Sequence, residues 1–107
     1  MTLNDVKFKP WRNGPKNGST GYGLCVSKNY AKIFPKDWKS IIVTVKNNDE
    51  SEDIEFNLNA TFWTTCPDLK NNKIKKWLIK SNTINWDGKK PEFITNYVGE
   101  NHFIIKL

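Results

Sequence analysis

The stretch GYGLCVSKNYAKIFPKDWKSIIVTV, residues 21–45, decides the fold. Apolar residues alternate with small or polar ones over residues 22–26, which predicts a strand. Ser27 is suited to cap a short helix over residues 28–34, which the next residue, a proline, would end. The β-branched run at residues 41–45 then predicts a buried strand. This stretch therefore predicts a strand, a short helix and a second strand in immediate succession.

Upstream, Val6 and Phe8 alternate with polar residues and predict a short first strand. Residues 9–21 are rich in glycine, proline and basic side chains, and we interpret them as a long loop of the kind that usually carries function. Downstream, residues 47–53 predict a turn. Residues 54–58 predict a half-exposed strand that forms a hairpin with the buried one.

The rest of the chain predicts one irregular segment, one helix and one hairpin. Residues 60–72 show no regular period, and the polar residues 68–72 within them are not expected to form a strand. Residues 73–80 predict a basic amphipathic helix. Residues 93–98 and 102–107 predict a final antiparallel pair of strands.

The length of 107 residues predicts one domain over residues 1–107, large enough to bury a core without a disulfide or metal. Six phenylalanines, five tryptophans and three tyrosines supply apolar surface for that core. Short helices among a majority of strands predict a mostly β fold of the α+β class.

The charges are unevenly distributed along the chain. Residues 1–40 carry eight basic and two acidic side chains, residues 41–60 one and five, and residues 61–107 eight and four. Two basic blocks around an acidic one indicate a polarised surface whose basic side attracts polyanions. The alternative is that the lysines only keep a small domain in solution.

The sequence contains no motif for nucleotide binding, nucleophilic catalysis or metal binding. Cys25 and Cys66 lie far apart and cannot complete a zinc site with the lone His102. We interpret them as buried free thiols in the cytoplasm of a microbe, with a disulfide as the alternative. We interpret His102 as a core or edge residue of the last strand rather than a general base. We therefore expect a non-catalytic domain with no cofactor and no metal.

Membrane association is not expected either. No apolar run approaches the roughly 20 residues that a membrane span needs. The first nine residues lack the apolar core of a secretory signal. The acidic residues between positions 49 and 55 are interpreted as the solvated face of a hairpin rather than as metal ligands.

Two stretches, residues 21–45 and FNLNATFWTTCPD at residues 56–68, resemble the plant B-three DNA-binding domain and its bacterial relatives. Those relatives are the recognition domains of restriction endonucleases such as EcoRII. The resemblance implies a seven-stranded open pseudobarrel with two short helices. It also implies that two loops, an N-arm and a C-arm, grip the major groove of DNA.

The resemblance places the N-arm in the loop before residue 22 and the C-arm at Phe62-Trp63-Thr64-Thr65. Asparagine and arginine can form paired hydrogen bonds with adenine and guanine edges, while lysines hold phosphates. The expected DNA contacts are Lys9, Trp11, Arg12, Asn13, Lys16, Asn17, Ser19, Thr20, Tyr22, Trp63, Thr64, Thr65, Lys70, Asn71 and Lys73.

The sequence thus predicts specific recognition of double-stranded DNA by the target-recognition domain of a restriction system. We expect cleavage or translocation to belong to the catalytic or motor part of such a complex, and the chain to be a domain of a larger restriction protein. Three alternatives remain open at this point. They are a protein-interaction module such as a phage-encoded inhibitor of host defence, a binder of RNA or single strands, and an enzyme.

Overall fold

The computed structural model describes residues 2–14, 20–47, 50–64, 67–81, 83, 86 and 88–106. These residues form seven strands and three short α-helices, and 3₁₀ turns lie at Leu3–Asp5 and Asn72–Ile74. The elements are β1 (Lys9–Arg12), β2 (Tyr22–Cys25), α1 (Lys28–Ala31), β3 (Ser40–Asn47), β4 (Glu50–Asn57), α2 (Ala60–Thr64), β5 (Asp68–Lys70), α3 (Lys75–Lys80), β6 (Thr95–Gly99) and β7 (His102–Lys106). The fold is mostly β and of the α+β class, as predicted.

The strands form two sheets. β1, β2 and β5 make a three-stranded antiparallel sheet with β2 in the centre. The larger sheet has the order β4-β3-β7-β6, and its strands are antiparallel except for the neighbours β3 and β7, which run parallel. This parallel pair brings the last strand beside one from the middle of the chain.

The two sheets meet at both edges and together form an open barrel. At one seam, β1 approaches β6 through an isolated bridge in which the backbone N–H of Phe93 donates to the carbonyl of Phe8 over 2.8 Å. At the other, the Asn71 side chain after β5 donates to the Glu55 carbonyl of β4 over 2.7 Å. Each seam has few hydrogen bonds, so the barrel is open rather than continuously paired.

Phe103 of β7 lies at the centre of the core and is fully buried. Its ring centroid lies 5.4 Å from Phe8, 5.7 Å from Phe34, 6.3 Å from Trp38 and 5.3 Å from Tyr97. These rings come from the seam before β1, from the chain on either side of Pro35 and from β6. One side chain of β7 therefore packs against the seam before β1, the segment around Pro35 and β6.

The local signals of the fold-deciding stretch are confirmed. The Ser27 hydroxyl accepts a hydrogen bond from the Tyr30 backbone N–H and caps α1, which begins at Lys28. β3 buries Ile41, Val43 and Val45, and β3 and β4 form the predicted antiparallel hairpin. The final antiparallel pair is also present, as β6 and β7.

The helix predicted over residues 73–80 is present as α3, which begins two residues later after a 3₁₀ turn. It is amphipathic, since Trp77 and Leu78 are buried while Lys75, Lys76 and Lys80 are exposed. Within the described residues, no helix is both long and apolar enough to cross a membrane.

Five predictions about element boundaries are wrong. The first helix, α1, ends at Ala31 rather than at residue 34. The first strand begins at Lys9, inside the expected loop, while Val6 and Phe8 before it are buried in the core. The expected turn over residues 47–53 is short, because β3 runs to residue 47 and β4 starts at residue 50. The irregular segment contains α2, which brings the α-helices to three rather than two. It also contains β5 in the polar run where no strand was expected.

We expect Phe103→Ala to lower the free energy of unfolding by about 3–5 kcal/mol, because it removes the ring that the other core aromatics contact. Phe103→Leu should retain the fold with a smaller loss. The matched control is Ile94→Ala, whose side chain is 77% exposed and which should change stability by less than about 0.5 kcal/mol. Urea unfolding measures all three, and equal stability of Phe103→Ala and Ile94→Ala would contradict the central role of Phe103.

Candidate nucleic-acid interface

Two loops leave the three-stranded sheet at opposite ends. The first loop, residues 13–21, joins β1 to β2 where Arg12 pairs with Tyr22. The second loop, residues 58–67, enters β5 at the other end, where Asp68 pairs with Cys25. The three-stranded sheet therefore lies between the two loops.

Side chains alternate between the two faces of that sheet. Leu24 of β2 is fully buried and points into the barrel, while its neighbour Cys25 is half-exposed and points away. We call the side of the sheet opposite Leu24 the outer face. The strand registers place six residues on it: Lys9, Trp11, Gly23, Cys25, Asp68 and Lys70.

Trp11 and Lys70 flank Gly23 on the outer face. The Lys70 ammonium lies 5.3 Å from the centre of the Trp11 ring system, close enough for a cation–π interaction. A Cβ at Gly23 would overlap the backbone carbonyl of Leu69 on β5, so only glycine allows β2 and β5 to pair this closely. The glycine thus makes possible the strand pairing that brings Lys70 towards Trp11.

A second group of cations surrounds Trp86, which the sequence analysis did not identify. The Arg12 guanidinium lies 3.8 Å from the centre of the Trp86 ring, and the Lys90 ammonium lies 5.1 Å from it. The Arg12 Nε–H also donates to the Gly14 carbonyl over 3.2 Å. Trp86 is 74 residues from Arg12 in sequence, so no local motif could have associated the two.

Asn13 holds the base of the first loop closed. Its Oδ1 accepts hydrogen bonds from the backbone N–H groups of Thr20 at 3.0 Å and Gly21 at 2.7 Å, and its backbone N–H donates to the Gly21 carbonyl at 3.1 Å. The Asn13 side chain, expected to contact a base, is therefore engaged in shaping the loop. Of the other expected contacts in this loop, Thr20 is exposed, whereas Lys16, Asn17 and Ser19 lie outside the described residues.

Tyr22 and Asn71, both expected on DNA, contribute to the fold. Tyr22 is only 7% exposed and belongs to the core. Asn71 caps the 3₁₀ turn by accepting from the Lys73 backbone N–H over 3.0 Å, and its amide donates across the barrel seam to Glu55. The neighbouring Asn72 accepts from the Tyr22 backbone N–H over 2.9 Å.

Lys73 does not lie on the outer face. It lines a cavity of about 620 Å³ between α3 and the start of β4, together with Lys76, Lys80, Glu50 and other residues. Lysines and glutamates share this cavity, and Lys80 forms an ion pair with Glu50 at 2.5 Å. The walls of this cavity are therefore not uniformly positive, as a binding site for a polyanion would require.

The second loop begins as the helix α2, which orders part of the expected C-arm. Trp63 is half-buried, with its ring edge-to-face against Phe62 at 5.0 Å and the Lys36 ammonium 4.5 Å from its centre. Thr64 is exposed and its hydroxyl donates to the Ala60 carbonyl over 2.8 Å. Thr65 lies outside the described residues.

Cys25 is a free thiol, as predicted, but it is half-exposed rather than buried, because the alternation along β2 turns it to the outer face. Burial raises the pKa of its thiol, and the nearby Lys90 ammonium, 3.8 Å from the sulfur, partly opposes that rise. The thiol therefore stays protonated near neutral pH and adds no negative charge to the face. Cys66, the other cysteine, lies outside the described residues.

His102 belongs to a polar chain on the outside of the larger sheet. The Thr44 hydroxyl lies 2.5 Å from an Asp53 carboxylate oxygen and 2.6 Å from His102 Nε2. Because a carboxylate only accepts, Thr44 donates to Asp53 and the imidazole donates to Thr44. The imidazole therefore does not accept the hydroxyl proton, and the chain ties β4, β3 and β7 together.

Comparison of the chain with protein-family models, with curated proteins and with solved structures found no match in any of the three. The candidate interface therefore rests on its own geometry: two loops, and between and beside them cations paired with tryptophan rings.

We expect Asn13→Ala to open the base of the first loop and to lower the free energy of unfolding by only about 1 kcal/mol, since the lost hydrogen bonds are exposed. The backbone N–H groups of Thr20 and Gly21 should exchange with deuterium much faster, because Asn13 Oδ1 no longer accepts from them. Asn96→Ala, at an exposed position of β6, is the control. Unchanged exchange at both positions would show that Asn13 does not close the loop.

Proposed function

We propose that this chain recognises double-stranded DNA by sequence, with its first and second loops placed in the major groove on either side of the outer face. One observation carries the proposal: cations are held against tryptophan rings on and beside that face. The pairs are Lys70 with Trp11, and Arg12 and Lys90 with Trp86. A surface built in this way presents positive charge at defined positions rather than at the ends of freely moving side chains.

The separation of the loops suits a duplex. β2, which has four residues, connects the end of the first loop to the other end of the sheet, where β5 begins. At a rise of about 3.3 Å per residue the strand spans roughly 10–13 Å. This is comparable to the width of the major groove of B-DNA, about 12 Å.

The residue types divide the work of recognition. Arg12 is stacked on Trp86 at the entrance to the first loop, and a planar guanidinium is the side chain best suited to paired hydrogen bonds with guanine. Lys9, Lys70 and Lys90 are suited to phosphates, which set the register of a protein on DNA. Asp68 is the only acidic residue among the described residues of the outer face, and it lies at the end next to the second loop.

The resemblance to the B-three domain and to restriction recognition domains supports the same assignment. In that resemblance one loop precedes the strand that leads into the first helix, and the other carries the aromatic-tryptophan pair. Here these are the loops between β1 and β2 and between β4 and β5. We propose that the domain supplies recognition within a microbial, cytoplasmic restriction complex and that a separate part of the complex cleaves or moves along DNA.

The test is selection from a randomised duplex pool, with single-stranded DNA as competitor, at two salt concentrations. We expect enrichment of one short motif that persists at the higher salt. Arg12→Ala should weaken binding to that motif by about 1–3 kcal/mol and relax the preference at one position. Lys70→Gln should weaken binding to all sequences alike, because phosphate contacts carry no sequence information.

The control for these variants is Lys106→Gln, which removes an exposed lysine from β7 in the other sheet. It should leave both the affinity and the preferred motif unchanged. The proposal is wrong if the wild-type domain enriches no motif, or if Lys106→Gln affects binding as much as Arg12→Ala does.

A protein-interaction module is the second candidate, and one observation favours it. Val98 of β6 is 50% exposed, and Ile94, directly before β6, is 77% exposed. Exposed apolar residues on a sheet are suited to a protein partner. Duplex binding that is weak, independent of sequence and lost at the higher salt would favour this candidate over DNA recognition.

A further inference from the structure

A small cavity lies beside the second loop, between the α1 region and α2. Phe62 and Trp63 of α2 form one side of it, and Lys28, Lys32 and Lys36 of the α1 region form the other. The Phe62 ring stacks on Phe34 in the core at 5.5 Å, so this wall is rigidly held. Pro67, directly before β5, also lines the cavity, which therefore lies near the end of the three-stranded sheet where β2 ends and β5 begins.

The charge of the cavity has one sign. The three lysines recur every four residues and are exposed, and no carboxylate lines the cavity in the described part of the chain. Among the residues that the structure describes, neither Lys28 nor Lys32 forms an ion pair. Lys36 is held with its ammonium over the Trp63 ring at 4.5 Å. Three lysines thus line one cavity, and none of them has an ion-pair partner among the residues that the structure describes.

The size of the cavity limits what it can hold. Its volume is about 170 Å³, which is room for roughly five water molecules at about 30 Å³ each. Sites for whole cofactors or drug-sized ligands are usually about 300–1,000 Å³. A single phosphate group with its oxygens fits inside, whereas the rest of a nucleotide would extend beyond the cavity.

We propose that this cavity binds one backbone phosphate of duplex DNA at the second-loop end of the interface. This inference rests on the proposed function and adds an anchor outside the outer face. Lys28 and Lys32 neutralise the phosphate, while Lys36 and Trp63 form the rim above it. A phosphate held here fixes the register of the second loop on the duplex, because phosphate contacts position a protein without reading sequence.

The first arm of the test uses inorganic phosphate alone. The indole N–H resonance of Trp63, assigned with Trp63→Phe, is followed while phosphate replaces chloride at constant ionic strength. We expect a saturable shift in the wild-type domain and in the Lys106→Gln control. The shift should be lost in a Lys28→Gln/Lys32→Gln double variant.

The second arm uses the duplex motif obtained by selection. In the double variant the slope of log affinity against log salt concentration should be smaller by about 1, which corresponds to one lost phosphate contact. The preferred motif should be unchanged, because the lysines read no base. Lys106→Gln should retain the wild-type slope.

The outcomes separate this inference from the proposed function. An unchanged slope in the double variant overturns the inference, because the cavity then does not hold the DNA backbone, even if it binds inorganic phosphate. In that case, enrichment of a motif by the wild-type domain would still support the proposed function. If the wild-type domain binds no duplex, the proposed function and the DNA assignment both fall. The phosphate titration, which needs no DNA, then shows whether the cavity binds phosphate at all.

Discussion

The packing of aromatic rings around Phe103 is the constraint on which the rest of the structure depends. Its neighbours Phe8, Phe34, Trp38 and Tyr97 come from three separate parts of the chain. Burying such rings together provides a large share of the apolar stabilisation of a domain of this size. The same contacts set where the barrel seam, the α1 region and β6 lie relative to β7.

With the barrel held in this way, the three-stranded sheet can present a functional surface. β2 buries Leu24 on one side, and on the other it carries Gly23, whose missing side chain allows β5 to approach. Trp11 and Lys70 then meet across the glycine. The outer face therefore depends on the close pairing of β2 and β5. The length of β2 sets the distance between the loops at the two ends of the sheet.

Some polar residues near this surface stabilise its structure, while others are positioned to contact a ligand. The side chains of Asn13, Asn71 and Asn72 form hydrogen bonds that close the first loop, cap the 3₁₀ turn and join strands across the barrel. The cations are instead oriented by aromatic rings, as Arg12 and Lys90 are by Trp86. The acidic residues of β4 lie in the other sheet, away from the outer face, and Glu50 there faces the lysines of α3.

The sequence by itself determined the class of the fold, because hydrophobic period, the Ser27 cap and β-branched runs are local signals that packing here did not override. It also determined the uneven distribution of charge along the chain and the approximate positions of both loops. It misplaced β1 and missed β5, because a strand of three or four residues is defined by its partner rather than by its own period. It missed α2 because five residues are too few to show a helical period. Only the tertiary structure decided that Trp86 meets Arg12, that Asn13 is engaged in its own loop and that β7 runs beside β3. Each of these depends on contacts between residues that are not neighbours in the chain, including the hydrogen bonds of Asn13 with Thr20 and Gly21. Composition and periodicity do not encode such contacts.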